Sequence, residues 1–263
     1  MTFADTYGPW ALVTGASKGI GAEFTRQLAA RGLNIVLVAS HEDALRAQSQ
    51  AVERRYKVAT RVVTLDLSRA DIIEQLAPAT ADIAIGLLVS NAAVSTVGPF
   101  LDHSLPYLTR QLDVNSRAGV MLIHHFGGLM AGRGRGGIVL LSSGSAQHGT
   151  PFSANYAATK AFNLILAESL WYELRPRGVD VLGLLAGATR TEGWLSNHPK
   201  PDRLVPVMDV EPTVAAALRA LGRRPSVAPG FVNRLGYIAL SSVTRARAIK
   251  TLGASMNKMF GPF

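Results

Sequence analysis

Six short apolar runs rich in Val, Ile and Leu punctuate the chain, at residues 11–14, 34–39, 60–65, 83–90, 137–142 and 179–185. Their near-continuous hydrophobicity is that of strands covered on both faces of a parallel sheet. Between them lie stretches with helical spacing, at 20–31, 42–56, 69–76, 105–130 and 156–174. The β-α-β-α order predicts an α/β fold, one doubly wound parallel sheet with right-handed crossovers and helices on both faces. Boundary residues agree. Gly32 follows the first helix, where a left-handed C-cap suits glycine. Ser68 is placed to cap the third helix, and Pro176 with Gly178 stops the long helix ending near Leu174. A further helix is predicted at 212–221, a short strand around 227–228, and a mostly helical tail over 231–263. Residues 188–206 show little periodicity. No repeat, low-complexity tract or linker appears, so all 263 residues are read as one domain.

Composition narrows the picture. With 48% hydrophobic and 17% charged residues the chain is globular rather than disordered. It has no cysteine, which excludes disulfides, a thiol nucleophile and Cys-based metal sites. The histidines lack zinc-site spacing, so no metal is expected. The first ten residues carry no basic side chain and no apolar core of a signal peptide. The longest apolar stretches are far shorter than a membrane span. A cytoplasmic location is the expectation. The net charge of +9 is unevenly placed: no acid follows Glu211, while Arg219, Arg223, Arg224, Arg234, Arg245, Arg247, Lys250 and Lys258 do. This run reads as a solvated basic face, with an anionic partner (phosphate groups or an acidic membrane surface) as the alternative. Nothing resembles a nucleic-acid reading module.

The first strand runs into Thr14-Gly15-Ala16-Ser17-Lys18-Gly19-Ile20-Gly21, which opens the first helix. Glycines there let the backbone turn tightly and approach a pyrophosphate, and the helix N-terminus offers free N–H groups and a positive dipole end. This is the context of a Rossmann-type dinucleotide site. The second strand ends Ala39-Ser40-His41, with no carboxylate until Glu42. A reader of the ribose 2′-hydroxyl places Asp or Glu at that strand end. Its absence, Lys18 within the loop, and donors at Ser40 and His41 favour NADP(H) over NAD(H).

Ser143 ends the fifth strand, and Tyr156 and Lys160 stand at i and i+4 on the next helix, sharing one face. An ammonium near a phenol favours the phenolate and is expected to lower its pKa, tuning the tyrosine as an acid/base. With these residues and the glycine loop, the sequence resembles the short-chain dehydrogenase/reductases, in the branch of 3-oxoacyl and hydroxysteroid-type reductases, from Ala11 to about Gly230. The resemblance implies that Ser143 hydrogen-bonds the substrate oxygen, Tyr156 is the acid/base, and Lys160 also holds the nicotinamide ribose. Asn115 matches the family's fourth catalytic position, which helps hold a water linking the lysine to solvent. Asp66 and Leu67 match the adenine contact. Asn91, Ala92 and Ala93 lie in a segment that is Asn-Asn-Ala-Gly in the family; Ser90 and Ala93 depart from it. Ala186-Gly187 stands where Pro-Gly is usual, and Thr189 and Thr191 follow, Thr191 at the position that contacts the nicotinamide amide.

The same resemblance places a lid at about 188–206, with Trp194 and Leu195 over the substrate and Ser145, His148 and Phe152 at its border. It implies reversible hydride transfer between NADPH and a ketone, on a hydrophobic or acyl-type small molecule, and assembly as a dimer or tetramer. The alternatives are an alcohol-oxidising (for example steroid) dehydrogenase on the same site, dehydration or epimerisation, and a cofactor-binding regulatory protein with vestigial catalysis. Helix-spaced Val243, Ala246, Ile249, Leu252, Met256 and Met259 in the tail predict packing on the domain or a second subunit, with an interfacial membrane helix as the alternative.

Overall fold

Seven strands form one all-parallel sheet in the order β3-β2-β1-β4-β5-β6-β7. They are β1 (Trp10–Thr14), β2 (Asn34–Ala39), β3 (Thr60–Thr64), β4 (Ile85–Ser90), β5 (Gly136–Ser143), β6 (Val179–Ala186) and β7 (Ser226–Val227). The computed structural model describes residues 2–202 and 205–263. Arg203 and Leu204, within the expected lid, lie outside the described residues.

Alternate residues of the strands, the two-residue β7 apart, feed two cores, one on each face. On one face Val13, Ile35, Leu37 and Val89 pack with Phe24, Leu28, Leu45, Val214 and Leu218. Those partners come from α2 (Gly19–Ala29), α3 (Glu42–Tyr56) and α10 (Val210–Ala220). On the other, Leu12, Val36, Val38 and Leu88 pack with Ile72, Leu76, Phe126 and Met130. This double burial is why the strands read as near-continuous apolar runs. Each such side chain contributes about 1.5–3 kcal/mol on leaving water, which dwarfs the exposed ion pairs.

Several boundaries differ from expectation. Helix α4 spans Ile72–Thr80, and Asp71, not Ser68, is its N-cap. The Ser68 amide instead donates to Asp66 Oδ1 at 2.9 Å, closing an Asx turn before the helix begins, and the Ser68 hydroxyl donates to the same oxygen at 2.9 Å. The helix also continues past Leu76, with the Thr80 hydroxyl donating to the Leu76 carbonyl at 2.8 Å. The stretch expected as one regular helix over 105–130 holds α5 (Leu105–Leu112), α6 (Ala118–Leu122) and α7 (Gly128–Arg133), joined by π-helical turns at Asp113–Arg117 and Ile123–Gly127. An unforeseen α1 (Phe3–Tyr7) precedes β1, closed by a Thr2–Asp5 capping box. Its Tyr7 hydroxyl donates to Asp180 Oδ2 on β6 at 2.7 Å.

Helix α8 (Ala154–Leu174) carries the Tyr-x-x-x-Lys pair. It stops as foreseen, through a 3₁₀ turn at Arg175–Arg177 and Gly178 at φ 74°. After β6 come the short α9 (Glu192–Leu195), then α10 and β7, and the tail folds as α11 (Phe231–Ser241) and α12 (Arg245–Phe260). Within the tail, Met256 and Met259 are buried, while Ala246 and Val243 are exposed. The strand order reverses between β1 and β4, so a crevice opens at their C-terminal ends, where open α/β sheets bind ligands. Among the described residues no helix is long and apolar enough to cross a membrane.

Candidate active site

The crevice is a cleft of about 670 Å³. Gly15, Ser17, Lys18, Gly19, Ile20, Ser40, His41, Asp66, Leu67, Asn91, Ala92, Ala93, Gly187, Thr189 and Thr191 all line it. Gly21 does not; it packs beneath the loop, where a Cβ would fall inside contact distance of the Gly15 carbonyl. Gly15 has φ 64° and Gly19 φ 58°, left-handed conformations that favour glycine. The loop is tied to the end of β4. The Thr14 hydroxyl accepts from the amides of Asn91 and Ala92 at 2.9 and 3.0 Å, and Asn91 Nδ2 donates to the Thr14 carbonyl at 2.8 Å. A glycine cradle held this rigidly at the start of α2 fits a pyrophosphate.

The end of the cleft beside β2 and β3, where the sequence places the adenosine, is also ordered. Asp66 accepts from the Ser68 amide and hydroxyl, both at 2.9 Å, and from Arg110 at 3.0 Å. These bonds outweigh its partial burial and hold its carboxyl below the usual range. Ser40 Oγ lies 3.1 Å from His41 Nδ1. Lys18 Nζ lies 3.4 Å from Glu192, both side chains well exposed. Such a pair contributes only about 0–1 kcal/mol, so an anion on the cleft side competes readily for the lysine.

Ser143, Tyr156 and Lys160 meet on the floor of the cleft. Ser143 Oγ accepts from the Ser145 amide at 3.2 Å. Lys160 is 3% exposed, and its Nζ donates to the Leu141 carbonyl at 3.2 Å. Burial pushes that ammonium down to about 8. Its Nζ stands 5.6 Å from the Tyr156 ring centroid. The expected lowering of the Tyr156 phenol is not what the protein alone produces. Desolvation raises it above its ordinary value, and the Ser143 hydroxyl pulls only partly the other way.

Asn115 sits behind the cleft, 3% exposed, within the first π turn. Its side chain pairs with Val94 in both directions at 2.8 Å, and its Nδ2 also donates to Thr159 Oγ1 at 3.1 Å. Its own carbonyl accepts from Asn163 Nδ2 at 2.8 Å. The wide turn therefore presents the Asn115 main chain to α8 while its side chain fixes the segment after β4. The sequence gives no hint of Asn163, whose buried Oδ1 has no partner.

The substrate end departs most from expectation. Ser145 and Trp194 line the cleft; His148, Phe152 and Leu195 do not. His148 lines a separate, smaller cavity. Phe152 stacks on Phe263, ring centroids 4.4 Å apart, and Leu195 is exposed. The tail occupies the space these residues were expected to fill. Asn233, Tyr237 and Leu240 of α11, and Leu252, Met256 and Phe260 of α12, form the outer wall. Trp194 packs edge-on against Phe260 at 5.7 Å. The absence of a side chain at Gly187 makes room for Asn233.

Tyr237 was not foreseen, because nothing in the spacing ties α11 to Ser143. Its hydroxyl lies against Gly144, in space a Cβ there would occupy, and burial pushes it up to about 12. It is thus a neutral donor beside the Ser-Tyr-Lys cluster. Tyr237→Phe is expected to raise the KM of a substrate that reaches this cluster about tenfold, the loss of one hydrogen bond, with kcat nearly unchanged in steady-state kinetics.

A glycine cradle at a helix N-terminus, opening onto a Ser-Tyr-Lys cluster at the end of β5, is the arrangement of a dinucleotide-dependent oxidoreductase. The family profile described as short chain dehydrogenase matches residues 9–201, and the chain belongs to that family. It is 32% identical over 260 residues to a 7beta-hydroxysteroid dehydrogenase of Clostridium sardiniense, covering 98% of this chain and 100% of the relative. A solved structure from a study of 7beta-hydroxysteroid dehydrogenase stereoselectivity superposes with a TM-score of 0.90 at 28% identity, over 96% of this chain and 99% of the other. A short-chain dehydrogenase from Sphingobium yanoikuyae in complex with NADPH superposes with a TM-score of 0.78 at 29% identity, over 90% and 96% of the two chains.

Proposed function

We propose that the protein reduces a bulky, apolar ketone to a secondary alcohol with NADPH, and runs in reverse when NADP+ is in excess. The observation that carries this reading is the meeting of Ser143, Tyr156 and Lys160 on the floor of the cleft that the glycine loop lines. A bound nicotinamide supplies or accepts the hydride. The chain's residues do the rest. The Ser143 hydroxyl orients the carbonyl oxygen, and the Tyr156 hydroxyl gives that oxygen its proton. Lys160, charged below about pH 8, stabilises the phenolate left behind. Asn115 and Asn163 hold the Val94 segment and β5 in place around the lysine. Trp194 and the tail close the outer wall and exclude water.

The apolar wall and the likeness to 7beta-hydroxysteroid dehydrogenase favour a polycyclic or similarly bulky substrate over a small polar one. Exposed Leu105 and Leu112 on α5, with Phe162 and Ile165 on α8, suit contact with a second copy in a homo-oligomer. For the cofactor, Lys18, Ser40 and His41 at the adenosine end, with no carboxylate closing β2, favour a 2′-phosphate; the NADPH-bound relative accords with this.

The test is NADPH consumption against a panel of apolar ketones. Stoichiometric oxidation with alcohol formed is expected. Cofactor binding without consumption on any ketone would overturn the reading, and turnover of the substrate without net consumption would point to epimerisation. Ser40→Asp places a carboxylate against the 2′-phosphate. It is expected to lower kcat/KM for NADPH by about ten- to a hundredfold relative to NADH, the effect of one or two pairwise charge interactions; unchanged discrimination counts against the NADP assignment.

A further inference from the structure

Helix α11 faces two ways. Asn233, Gly236, Tyr237 and Leu240 point into the cleft. On the other side Phe231, Leu235 and Ile238 are 66%, 49% and 63% exposed, and Val232, at the rim of the cleft, is 60% exposed. Phe231, Leu235 and Ile238 stand at i, i+4 and i+7, so they form one continuous stripe. This inverts the ordinary surface helix, which turns its apolar stripe inward. Four large apolar side chains held together in water mark a surface that binds something.

The charges on α11 and α12 say what it binds. Arg234 flanks it, its guanidinium 6.0 Å from the Phe231 ring centroid. Arg245, Arg247 and Lys250 on the next helix are exposed. Among the described residues no ion pair engages any of the four. No acid follows Glu211 anywhere in the chain. An exposed apolar stripe with an unpaired cation beside it, followed by a helix that carries three more, is the pattern of an interfacial segment on an anionic bilayer.

We propose that the outward face of α11, with the cations of α12, docks the protein onto an anionic lipid surface and sets the cleft at the bilayer. A second copy is the weaker occupant. A two-fold contact through this face would bring the same unpaired cations against each other, at a cost that anionic headgroups reverse. The docking also gives the cleft a dry approach. Val232 is both exposed and part of the cleft wall, so an apolar molecule dissolved in the bilayer can pass from lipid to cleft along α11. This second point rests on the reductase reading; the docking itself does not.

The experiment is flotation of the full chain with vesicles of phosphatidylcholine alone, or of phosphatidylcholine with phosphatidylserine, at low and high salt. The protein is expected to float with the anionic vesicles, little with the neutral ones, and less as salt rises. Phe231→Ser/Leu235→Ser/Ile238→Ser and, separately, Arg247→Glu/Lys250→Glu are each expected to cut partitioning at least about tenfold. Neither alters NADPH consumption on a soluble ketone, which shows that the variants fold. Failure to float with anionic vesicles overturns the proposal, as does flotation that survives either variant. So does a wild-type oligomer that fails to float and that the triple serine variant dissociates, since that outcome gives the face to a second copy.

Discussion

Tyr156→Phe is expected to lower kcat for ketone reduction by about three orders of magnitude, within the range that a positioned acid/base supplies. NADPH affinity stays close to wild type, since the change deletes one hydroxyl from the cleft floor and leaves the glycine cradle intact. The geometry explains the size of the effect. In the proposed reaction the carbonyl oxygen would meet the Ser143 hydroxyl, which can orient it, and the Tyr156 hydroxyl, which burial keeps protonated in the isolated chain. A phenylalanine has no proton to give, and Ser143 is too weak an acid to replace it. Single-turnover measurement of hydride transfer, beside fluorescence titration of NADPH, separates the two quantities. Turnover near the wild-type rate would remove the acid/base role from Tyr156.

Lys160→Met is expected to lose turnover to a similar extent and yet to make the protein more stable. The ammonium is 3% exposed and its pKa falls to about 8, from an ordinary value near 10.5. The direction follows from proton linkage. Above about pH 8 the folded chain sheds a proton that the unfolded chain keeps until about 10.5. The group's penalty is therefore present in full below pH 8 and fades as pH rises to 10.5. At pH 7 it amounts to about 3 kcal/mol. Methionine fills nearly the same volume without the charge, and the Leu141 carbonyl keeps a donor in Asn163 Nδ2 at 3.1 Å. Thermal melts at pH 7 are expected to rise by several degrees. The gap between variant and wild type should close as pH approaches 10.5. A melting temperature that falls would mean that the lysine's packing or hydrogen bond outweighs the charge it buries.

The sheet was legible because its physics leaves a trace in composition: strands covered on both faces are nearly all apolar, as in 34–39 and 179–185. The cradle was legible because only glycine serves at Gly15 and Gly19. Tyr156 and Lys160 were legible because one helical turn separates them. Other features leave no such trace. A π turn inserts no characteristic residue, so the breaks at Asp113–Arg117 and Ile123–Gly127 hide within a stretch of helical spacing. Helix α1 has five residues and relies on a capping box and on Tyr7 reaching Asp180, a partner far along the chain. Ser68 and Asp71 are both good caps, and the choice between them fell to the turn that Asp66 makes with Ser68. The substrate end was the least readable. His148 and Phe152 are near Ser143 in sequence, whereas Tyr237 is near it only in space. The phenol's direction was misjudged for a related reason: proximity of a cation is visible in spacing, and desolvation is not.

The cleft is divisible by origin. Its floor comes from loops at the C-terminal ends of β1, β4 and β5 and from the start of α8, all before residue 161. Most of its outer wall is one uninterrupted C-terminal piece, α11 and α12, docked through Asn233 at Gly187, Phe260 at Trp194 and Phe263 at Phe152. Exchanging that piece for the matching end of a relative would graft a new substrate preference onto unchanged chemistry, with those three seams as the positions to match. Mutation can thus reshape the wall through one segment of the chain while the Ser143, Tyr156 and Lys160 floor stays untouched.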